Sequence, residues 1–372
     1  MRVGLDGRGL AAPVRSGVER YVVELARALA ALEERPEIVA YLDRPVADWE
    51  LGRVLSGGMR TRVLRAPRGW LRVALPWRLW RDRMDLVHLP STILPPLLPC
   101  PAVVTVHDLA WAHYPETYDP ADLEMQTQVV PRSVRRAAHV IAVSESTAHD
   151  LAAILGVPGE KITVTPLGVS PGFRAEGPRL PRDAFPGAER LSGGYVLYAG
   201  ALAPRKNLGR VLEAYLKVVS EGVECPLVLA GARSAHAEEL ARMAKGLGIE
   251  EKVLFAGHVR ERLLPALFRG AAAFVYASLY EGFGMPVLEA MASGVPVVTS
   301  NGSGTAEVAG KAALRVDPES VEEIARALSR VLKDEALREK LAAQGLIRSR
   351  GYRWELTARQ TASVYRRVGG EG

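Results

Sequence analysis

Short apolar runs rich in valine and isoleucine alternate with longer stretches of helical periodicity along the chain. In the first half, the runs predicted as strands are Arg2–Asp6, Ile38–Leu42, Leu86–Leu89, Ala102–Val106 and Val140–Val143. In the second half they are Tyr195–Ala199, Leu227–Ala230, Val253–Ala256, Ala272–Tyr276, Val295–Thr299 and Ala313–Val316. Apolar strands separated by helices are typical of parallel sheets covered on both faces. The pattern predicts an α/β protein with two doubly wound, Rossmann-like domains that face each other across a cleft.

The two series of strands are separated by a stretch rich in proline and glycine, Pro166–Gly194, with little apolar periodicity. Such stretches are typical of connections between domains. We therefore expect an N-terminal domain at residues 1–170, a linker at 171–194 and a C-terminal domain at 195–352. The last helical stretch, residues 353–372, is expected to pack back onto the N-terminal domain.

Helical periodicity and capping residues predict the longer helices. The helical stretches are Gly17–Glu34, Ala121–Arg136, Glu335–Arg350 and Arg353–Val368. Asn207 and Ser144 each stand directly before a helical pattern, where side-chain caps are common. Asp317, followed by Pro318, predicts another helix start with the proline at the first helical position.

Composition limits the class of protein. At 372 residues and 48% apolar residues, the chain is long and apolar enough for two cores. Cys100 and Cys225 lack metal-type spacing, which favours a reducing compartment, the cytoplasm, over a disulfide or zinc framework. The chain opens directly on a strand-like run, so no signal peptide is expected. A net charge of +6 is a mild excess, and no nucleic-acid partner is predicted from it.

The uncharged residues 89–106 are the only stretch that suggests a membrane span, and five prolines lie within them. A helix exposed to lipid would lose backbone hydrogen bonds at each proline. We interpret these residues as buried strand and loop, and no transmembrane segment is predicted.

A basic segment from Arg60 to Arg83 contains eight arginines and one acid, Asp82, together with Trp70, Trp77 and Trp80. We refer to it as the Arg–Trp segment. Arginine mixed with tryptophan suits an anionic membrane surface, which would make the protein peripheral on the inner face of the cell membrane. The alternative is a solvated arginine face on a short helix that begins at Pro76, with its tryptophans packed inward.

The richest candidate chemistry lies in the segment from Tyr276 to Ser300, where a strand leads through the loop Glu281-Gly282-Phe283-Gly284 into a helix. Glycines let the backbone approach a ligand closely, and the amides of a helix start favour an anion. Glu281 in the loop and Glu289 in the helix are suited to hold sugar or ribose hydroxyls. The alternative is a capping glutamate and a surface residue.

A second loop carries adjacent cations. The segment Tyr198–Asn207, YAGALAPRKN, places Gly200, Arg205 and Lys206 between a strand and a helix. Two cations at the carboxyl end of the first strand of a Rossmann-like domain suit a diphosphate. The loop lacks the Gly-x-Gly-x-x-Gly fingerprint and the P-loop sequence, so NAD and P-loop chemistry are disfavoured.

Together these two segments resemble the retaining glycosyltransferases of family 4, which have the GT-B fold. The two glutamates of EGFGMPVLE look like that family's signature, and the Gly200 to Asn207 segment is similar to its diphosphate-binding element. The resemblance extends over nearly the full chain and is nearest to bacterial mannosyltransferases of surface polysaccharide assembly. Further matching pieces are TVHDL at 105–109, VSESTAHDL at 143–151, PLGV at 166–169 and FAGHV at 255–259.

The resemblance implies a role for each matching residue. Arg205 and Lys206 would neutralise the leaving diphosphate, Glu289 would hold the ribose, and His107 would reach the donor sugar. Glu281 would hold that sugar together with the loop that enters the helix, namely Gly282, Phe283, Gly284 and Met285. His258 and Val259 would meet the nucleobase, and Gly17 matches the second glycine of a Gly-Gly turn of which the first is Ser16 here.

The implied activity is transfer of a hexose with retention, mannose from GDP-mannose, to a glycan or lipid-linked acceptor. Neither a cofactor nor a metal is expected, since the donor phosphate itself would act as the base and no Asp-x-Asp triplet is present. The alternatives are a transferase that uses a UDP-sugar, a sugar-nucleotide epimerase, and a non-catalytic two-domain protein that binds a sugar.

Overall fold

The computed structural model describes residues 1–13, 15–66 and 68–370. The strands of the N-terminal half are β1 (Arg2–Asp6), β2 (Glu37–Leu42), β3 (Arg60–Val63), β4 (Leu86–Leu89), β5 (Ala102–Val106), β6 (His139–Ala142) and β7 (Ile162–Val164). Those of the C-terminal half are β8 (Val196–Ala199), β9 (Leu227–Ala230), β10 (Val253–Gly257), β11 (Ala273–Tyr276), β12 (Val297–Ser300) and β13 (Leu314–Val316).

Helices separate most of these strands. The first six are α1 (Gly17–Ala31), α2 (Trp49–Ser56), α3 (Leu75–Arg81), α4 (Ala110–His113), α5 (Pro120–Arg136) and α6 (Glu145–Leu155). The remaining helices are α7 (Leu208–Ser220), α8 (Ala235–Gly246), α9 (Leu264–Arg269), α10 (Met285–Ala292), α11 (Ser303–Ala309), α12 (Val321–Lys333), α13 (Glu335–Ser349) and α14 (Trp354–Gly369). None of the helices in the described part of the chain is long and apolar enough to cross a membrane.

The chain forms two compact units. The first contains Met1–Gly168 and the C-terminal segment from Arg353 onward, and the second is Val169–Tyr352. Residues 171–194, predicted as a linker, lie within the second unit, where the ring of Phe173 meets that of Phe268 edge-on at 5.4 Å. Residues 371 and 372, part of the predicted C-terminal helix, lie outside the described residues.

Each unit is built on a parallel sheet. Among the described residues, the first sheet has seven strands in the order β3-β2-β1-β4-β5-β6-β7, and the second has six in the order β10-β9-β8-β11-β12-β13. Both orders run outward in one direction from the first strand and then resume on its other side, the arrangement of a doubly wound Rossmann-like fold. The order reverses between β1 and β4 in the first unit and between β8 and β11 in the second. The predicted fold class is therefore confirmed.

Two strands of the first sheet were missed by the apolar pattern. All four residues of β3 are exposed, and the three residues of β7 are only half-buried. Both strands lie at the edges of the sheet, where a strand is not covered on both faces and its sequence carries no continuous apolar run. The eleven predicted strands are all present, with shifts of one or two residues at several ends.

Of the three predicted caps, Asp317 is wrong, and Asn207 stands at the N-cap position of α7 without a capping side-chain bond. Asn207 has a left-handed φ of 60° and donates its amide to the carbonyls of Ala277 and Pro318, at 3.0 and 2.6 Å. The helix predicted from Asp317 begins instead at Val321, because Ser320 caps it. The third cap is confirmed, since the amide of Thr147 donates to Ser144 Oγ at 3.0 Å.

A buried polar network fixes α14 to the first sheet. His88 of β4 is fully buried, with Nδ1 at 2.7 Å from the Tyr365 hydroxyl and Nε2 at 2.8 Å from Thr105 Oγ1. Thr105 in turn lies 3.0 Å from the hydroxyl of Tyr21 on α1. Burial lowers the pKa of His88 to about 3, so the ring is neutral and serves as one donor and one acceptor. The chain segment after residue 352 is thus tied to the first unit by hydrogen bonds as well as by packing.

We expect Tyr365→Phe to reduce the free energy of unfolding by about 1–3 kcal/mol, since a buried ring nitrogen of His88 loses its partner. Urea denaturation of wild type and variant measures the difference. Arg359→Gln, on the exposed side of the same helix, is the control and should change stability by less than about 0.5 kcal/mol. Equal stability of Tyr365→Phe and wild type would show that the network contributes nothing.

Candidate functional site

The two loops predicted to carry chemistry follow neighbouring strands of the second sheet. Arg205 and Lys206 lie in the turn after β8, and Glu281 lies in the loop after β11. These strands pair directly, with Ala273 opposite Val196, at the point where the strand order reverses. Ligands of doubly wound proteins bind beyond the carboxyl ends of the strands at this point. The fold therefore brings the candidate residues together where a ligand site is expected.

Lys206 and Glu281 form a buried ion pair, with Nζ donating to Oε1. Lys206 is 9% exposed and Glu281 8%. Arg205 adds a second cation, since its guanidinium lies 3.4 Å from Glu281 Oε2 and donates to the carbonyl of Tyr280 at 2.5 Å. Burial alone would raise the pKa of Glu281, but the charges of Lys206 and Arg205 hold it well below its usual value. The carboxyl is therefore ionised throughout the neutral pH range.

Two tyrosines form the wall behind Lys206. The rings of Tyr198 and Tyr276 stack with centroids 5.6 Å apart, and the Tyr276 hydroxyl accepts a hydrogen bond from Lys206 Nζ at 3.2 Å. Burial and then the charge of Glu281 raise the pKa of both phenols well above the usual value. Both remain neutral hydroxyls, so Lys206 is placed by uncharged groups on one side and by a carboxylate on the other.

The loop Glu281-Gly282-Phe283-Gly284, here called the glycine loop, closely approaches the backbone at the start of α11. A Cβ on Gly304 would lie 2.1 Å from the carbonyl oxygen of Gly282, and one on Gly284 would meet Thr305 at 2.9 Å. Gly284 has a φ of 104° and directly precedes α10, so only glycine fits without strain. The N-cap residue of α10 is Gly284, which has no side chain with which to cap the helix, so backbone, other groups or a ligand must serve its amino end.

The remaining residues predicted for the donor lie around these loops. Glu289 is 4% exposed at the fifth position of α10, and Phe283 is buried, whereas Met285 is half-buried. Gly200 follows β8 and donates its amide to the carbonyl of Ala230 at 2.9 Å. After β10, His258 is exposed and Val259 is buried. All of them follow carboxyl ends of strands in the second unit or lie on the helix that the glycine loop enters.

His107 and Gly17 belong to the first unit. His107 follows β5, donates Nε2 to the carbonyl of Pro90 at 2.8 Å and meets the ring of Tyr21 edge-on at 4.9 Å. Burial lowers its pKa, so the ring is neutral, and the bond to a carbonyl places its proton on Nε2 and a lone pair on Nδ1. Gly17 is exposed at the first position of α1, after Ser16, whose amide donates to Glu19 at 2.9 Å.

Sequence reasoning missed two features that shape the site. It assigned Lys206 and Glu281 to different parts of the donor and did not predict that they pair. It also overlooked Ser303, whose left-handed φ of 59° brings its Oγ to accept the Glu281 amide at 3.1 Å. The signal available was the small-residue loop NGSG after β12, which lies at the same edge of the sheet as the other two loops. Within the described residues, no group of three or more His, Cys, Asp or Glu could hold a metal ion.

Comparison with known proteins agrees with the geometry. The model of "Glycosyltransferase Family 4" matches residues 15–173, and that of "Glycosyl transferases group 1" matches residues 182–347. The chain is 32% identical over 371 residues to O-antigen chain mannosyltransferase B of Escherichia coli, covering 94% of this chain and 96% of that protein.

Solved structures support the same fold. Sucrose-phosphate synthase of Thermosynechococcus elongatus is similar with a TM-score of 0.78 at 22% identity, with all of both chains covered. Anabaena Alr3699/HepE, solved in complex with UDP-glucose, is similar with a TM-score of 0.75 at 19% identity, and 99% of each chain is covered. Two Rossmann-like units with charged residues at a switch point, together with these matches, define a nucleotide-sugar-dependent glycosyltransferase, a hexosyltransferase. The chain belongs to the family 4 glycosyltransferases with the GT-B fold.

The buried ion pair makes a stability prediction. Lys206→Met should lower the free energy of unfolding by about 3 kcal/mol, because Glu281 stays buried with only Arg205 near it. The double variant Lys206→Met, Glu281→Gln should recover much of that loss, since no carboxylate is left uncompensated. Urea denaturation of the wild type, both single variants and the double variant gives the coupling. Strictly additive effects would contradict the pairing.

Proposed function

We propose that the protein transfers mannose from GDP-mannose to a glycan or lipid-linked acceptor, with retention of configuration at the sugar. The observation that carries the donor site is the convergence of Arg205, Lys206 and Glu281 beyond β8 and β11. Mannose is supported by the O-antigen chain mannosyltransferase of Escherichia coli, similar over 94% of this chain. Family membership sets aside the epimerase and the non-catalytic binding protein. A UDP-sugar is the second candidate, because the similar Anabaena protein was solved with UDP-glucose.

In this proposal, the bond between the sugar C1 and the diphosphate oxygen breaks as the bond from C1 to the acceptor oxygen forms on the same face. The acceptor proton passes to a phosphate oxygen of the leaving nucleotide. Negative charge grows on that diphosphate, so Arg205, Lys206 and the amino end of α10 would stabilise the transition state more than the ground state. Glu289 would hold the ribose, and His258 and Val259 would lie near the base. The mechanism requires no metal.

The ion pair gives Lys206 a defined position before the donor arrives. A diphosphate that approaches the turn after β8 meets a cation already desolvated and held by Glu281 and Tyr276. Little reorganisation is then needed at the moment of reaction, which is the condition under which electrostatic stabilisation is strong. Glu281 would keep Oε2 near Arg205, and its carboxylate would accept hydrogen bonds from the sugar hydroxyls.

Nucleotide binding is the first test of the donor. We expect GDP to raise the melting temperature in the presence of EDTA, since a ligand at a hundred times its Kd adds about 2.7 kcal/mol of stability. UDP and ADP are the comparisons, and release of GDP from GDP-mannose measures the chemistry. A rise in melting temperature with UDP alone would replace the proposed donor with a UDP-sugar. A rise that is lost in EDTA would contradict the metal-free mechanism. No rise with any nucleotide would contradict the donor site.

Turnover tests the role of Lys206. Lys206→Met should lower kcat by about a hundredfold or more, the usual cost of removing one stabilising group from a developing anion. Lys217→Met, which removes a half-exposed lysine from α7, is the matched control and should leave kcat unchanged. Assays are run at a temperature at which circular dichroism shows the variant folded. An unchanged kcat in the folded variant would contradict the diphosphate role.

His107 makes a different prediction from that of the cations. With its proton fixed on Nε2, the ring presents Nδ1 as an acceptor, which suits a sugar hydroxyl and not a diphosphate. His107→Ala should therefore lower kcat/KM for the sugar donor while the Kd for free GDP stays within about twofold. Isothermal titration with GDP and steady-state kinetics measure the two quantities. Equal losses in both would place His107 in a structural role.

A further inference from the structure

The Arg–Trp segment folds into an amphipathic surface helix of the first unit. Residues 70–74 form a turn of π-helix that continues without a break into α3. The buried face carries Trp70, Leu75 and Leu79, which belong to the core of the unit. The Leu79 side chain lies so near β1 that a Cβ on Gly4 would approach it to 2.5 Å. The helix is therefore firmly seated, and its other face has a fixed direction.

The exposed face carries large apolar side chains. Val73 is 67% exposed, Trp77 51% and Trp80 67%. Their spacing of four and three residues places them on one side of a helix. The expectation that the tryptophans pack inward is therefore wrong for Trp77 and Trp80.

Trp70, in contrast, points inward, and its indole N–H has a hydrogen-bond partner. It is buried, donates Nε1 to the carbonyl of Leu42 at 3.2 Å and lies under the guanidinium of Arg8. Neither Trp77 nor Trp80 has a partner for its indole N–H among the described residues. Solvent-exposed indoles without a structural role are costly to leave in water, and a cluster of them marks an interaction surface.

The unpaired charges of the described residues around these side chains are all positive. Asp82, the only acid of the segment, forms ion pairs with Arg78 at 2.9 Å and with Arg62 at 3.4 Å. Arg60 pairs with Glu37 at 3.2 Å. The other arginines of the segment are exposed and have no carboxylate partner among the described residues: Arg65, Arg68, Arg72, Arg81 and Arg83.

We infer that this face docks on an anionic lipid bilayer, with Trp77, Trp80 and Val73 at the level of the headgroups and the arginines on the phosphates. Indoles are enriched at that level of a membrane, and arginine pairs well with phosphate. Arg81 lies 5.2 Å over the ring of Trp77, so one cation and one indole would enter the interface together. A nucleic acid would use the arginines but leave Val73 and the apolar faces of two indoles in water. The inference is independent of the proposed donor and sugar.

The test uses the full chain with vesicles of phosphatidylcholine alone or mixed with phosphatidylglycerol. Binding to the anionic vesicles alone is expected, with release at about 1 M salt, where the Debye length falls to about 3 Å. Tryptophan emission should shift to the blue on binding, and lipids brominated near the headgroup should quench it. Absence of binding, or equal binding to neutral vesicles, would overturn the inference.

Two variants assign the binding to residues. Arg72→Gln with Arg81→Gln should lower the partition coefficient by more than about tenfold, since each arginine near an anionic surface contributes about fivefold. Trp77→Gln with Trp80→Gln should remove the blue shift and the quenching. Ile347→Gln with Arg350→Gln, exposed residues of the second unit, is the matched control and should bind like wild type. Unchanged vesicle binding by both test variants would refute a lipid surface here. So would duplex DNA that displaces wild type and the tryptophan variant from the vesicles equally well.

Discussion

An ionised carboxylate is costly to bury without a nearby cation, and at Glu281 this constraint organises the donor side of the protein. Glu281 is buried beyond β11 and Lys206 beyond β8, so the two loops must remain in contact for either charge to be tolerated. A backbone hydrogen bond also joins the two loops, since the amide of Leu279 donates to the carbonyl of Arg205 at 3.0 Å. Replacing such a pair with apolar residues often costs little stability, so its presence at a switch point favours a functional reason for keeping it.

The neighbouring glycines and small residues follow from this contact. With the loop after β11 held against the turn after β8, the loop after β12 has to approach it at backbone distance, and only Gly304 leaves room for the Gly282 carbonyl. Ser303 accepts the Glu281 amide, and Asn207 joins the start of α7 to the loop after β11. The result is a closely packed set of loops at the carboxyl ends of neighbouring parallel strands. Such a set of loops suits a ligand that must be held on several sides.

How much of this was readable from the sequence depended on burial. Central strands were predicted because they are covered on both faces and show apolar runs, whereas the exposed edge strand β3 carries none. The loops after β8 and β11 were found because cations, glycines and glutamates stand together there. The pairing of Lys206 with Glu281 was not predictable, because 75 residues separate them and only the adjacency of two strands brings them together. The outward direction of Trp77 and Trp80 was left open for a similar reason, since a short helix with apolar residues all round does not reveal which side meets the core.

The polar groups of the two candidate regions, around Lys206 in the second unit and around His107 in the first, differ in charge, and this difference fits a glycosyl transfer. In the second unit, charges are buried in contact, where a diphosphate would need them. In the first unit, the groups near His107 are neutral: His88, Thr105 and Tyr21 are buried, His107 is half-buried, and burial keeps both imidazoles unprotonated. Neutral donors and acceptors suit sugar hydroxyls, which carry no charge and lose little when a hydrogen bond to water is exchanged for one to protein. The first unit concentrates cations instead on its surface around α3, where they would meet the phosphates of a bilayer and not the substrate.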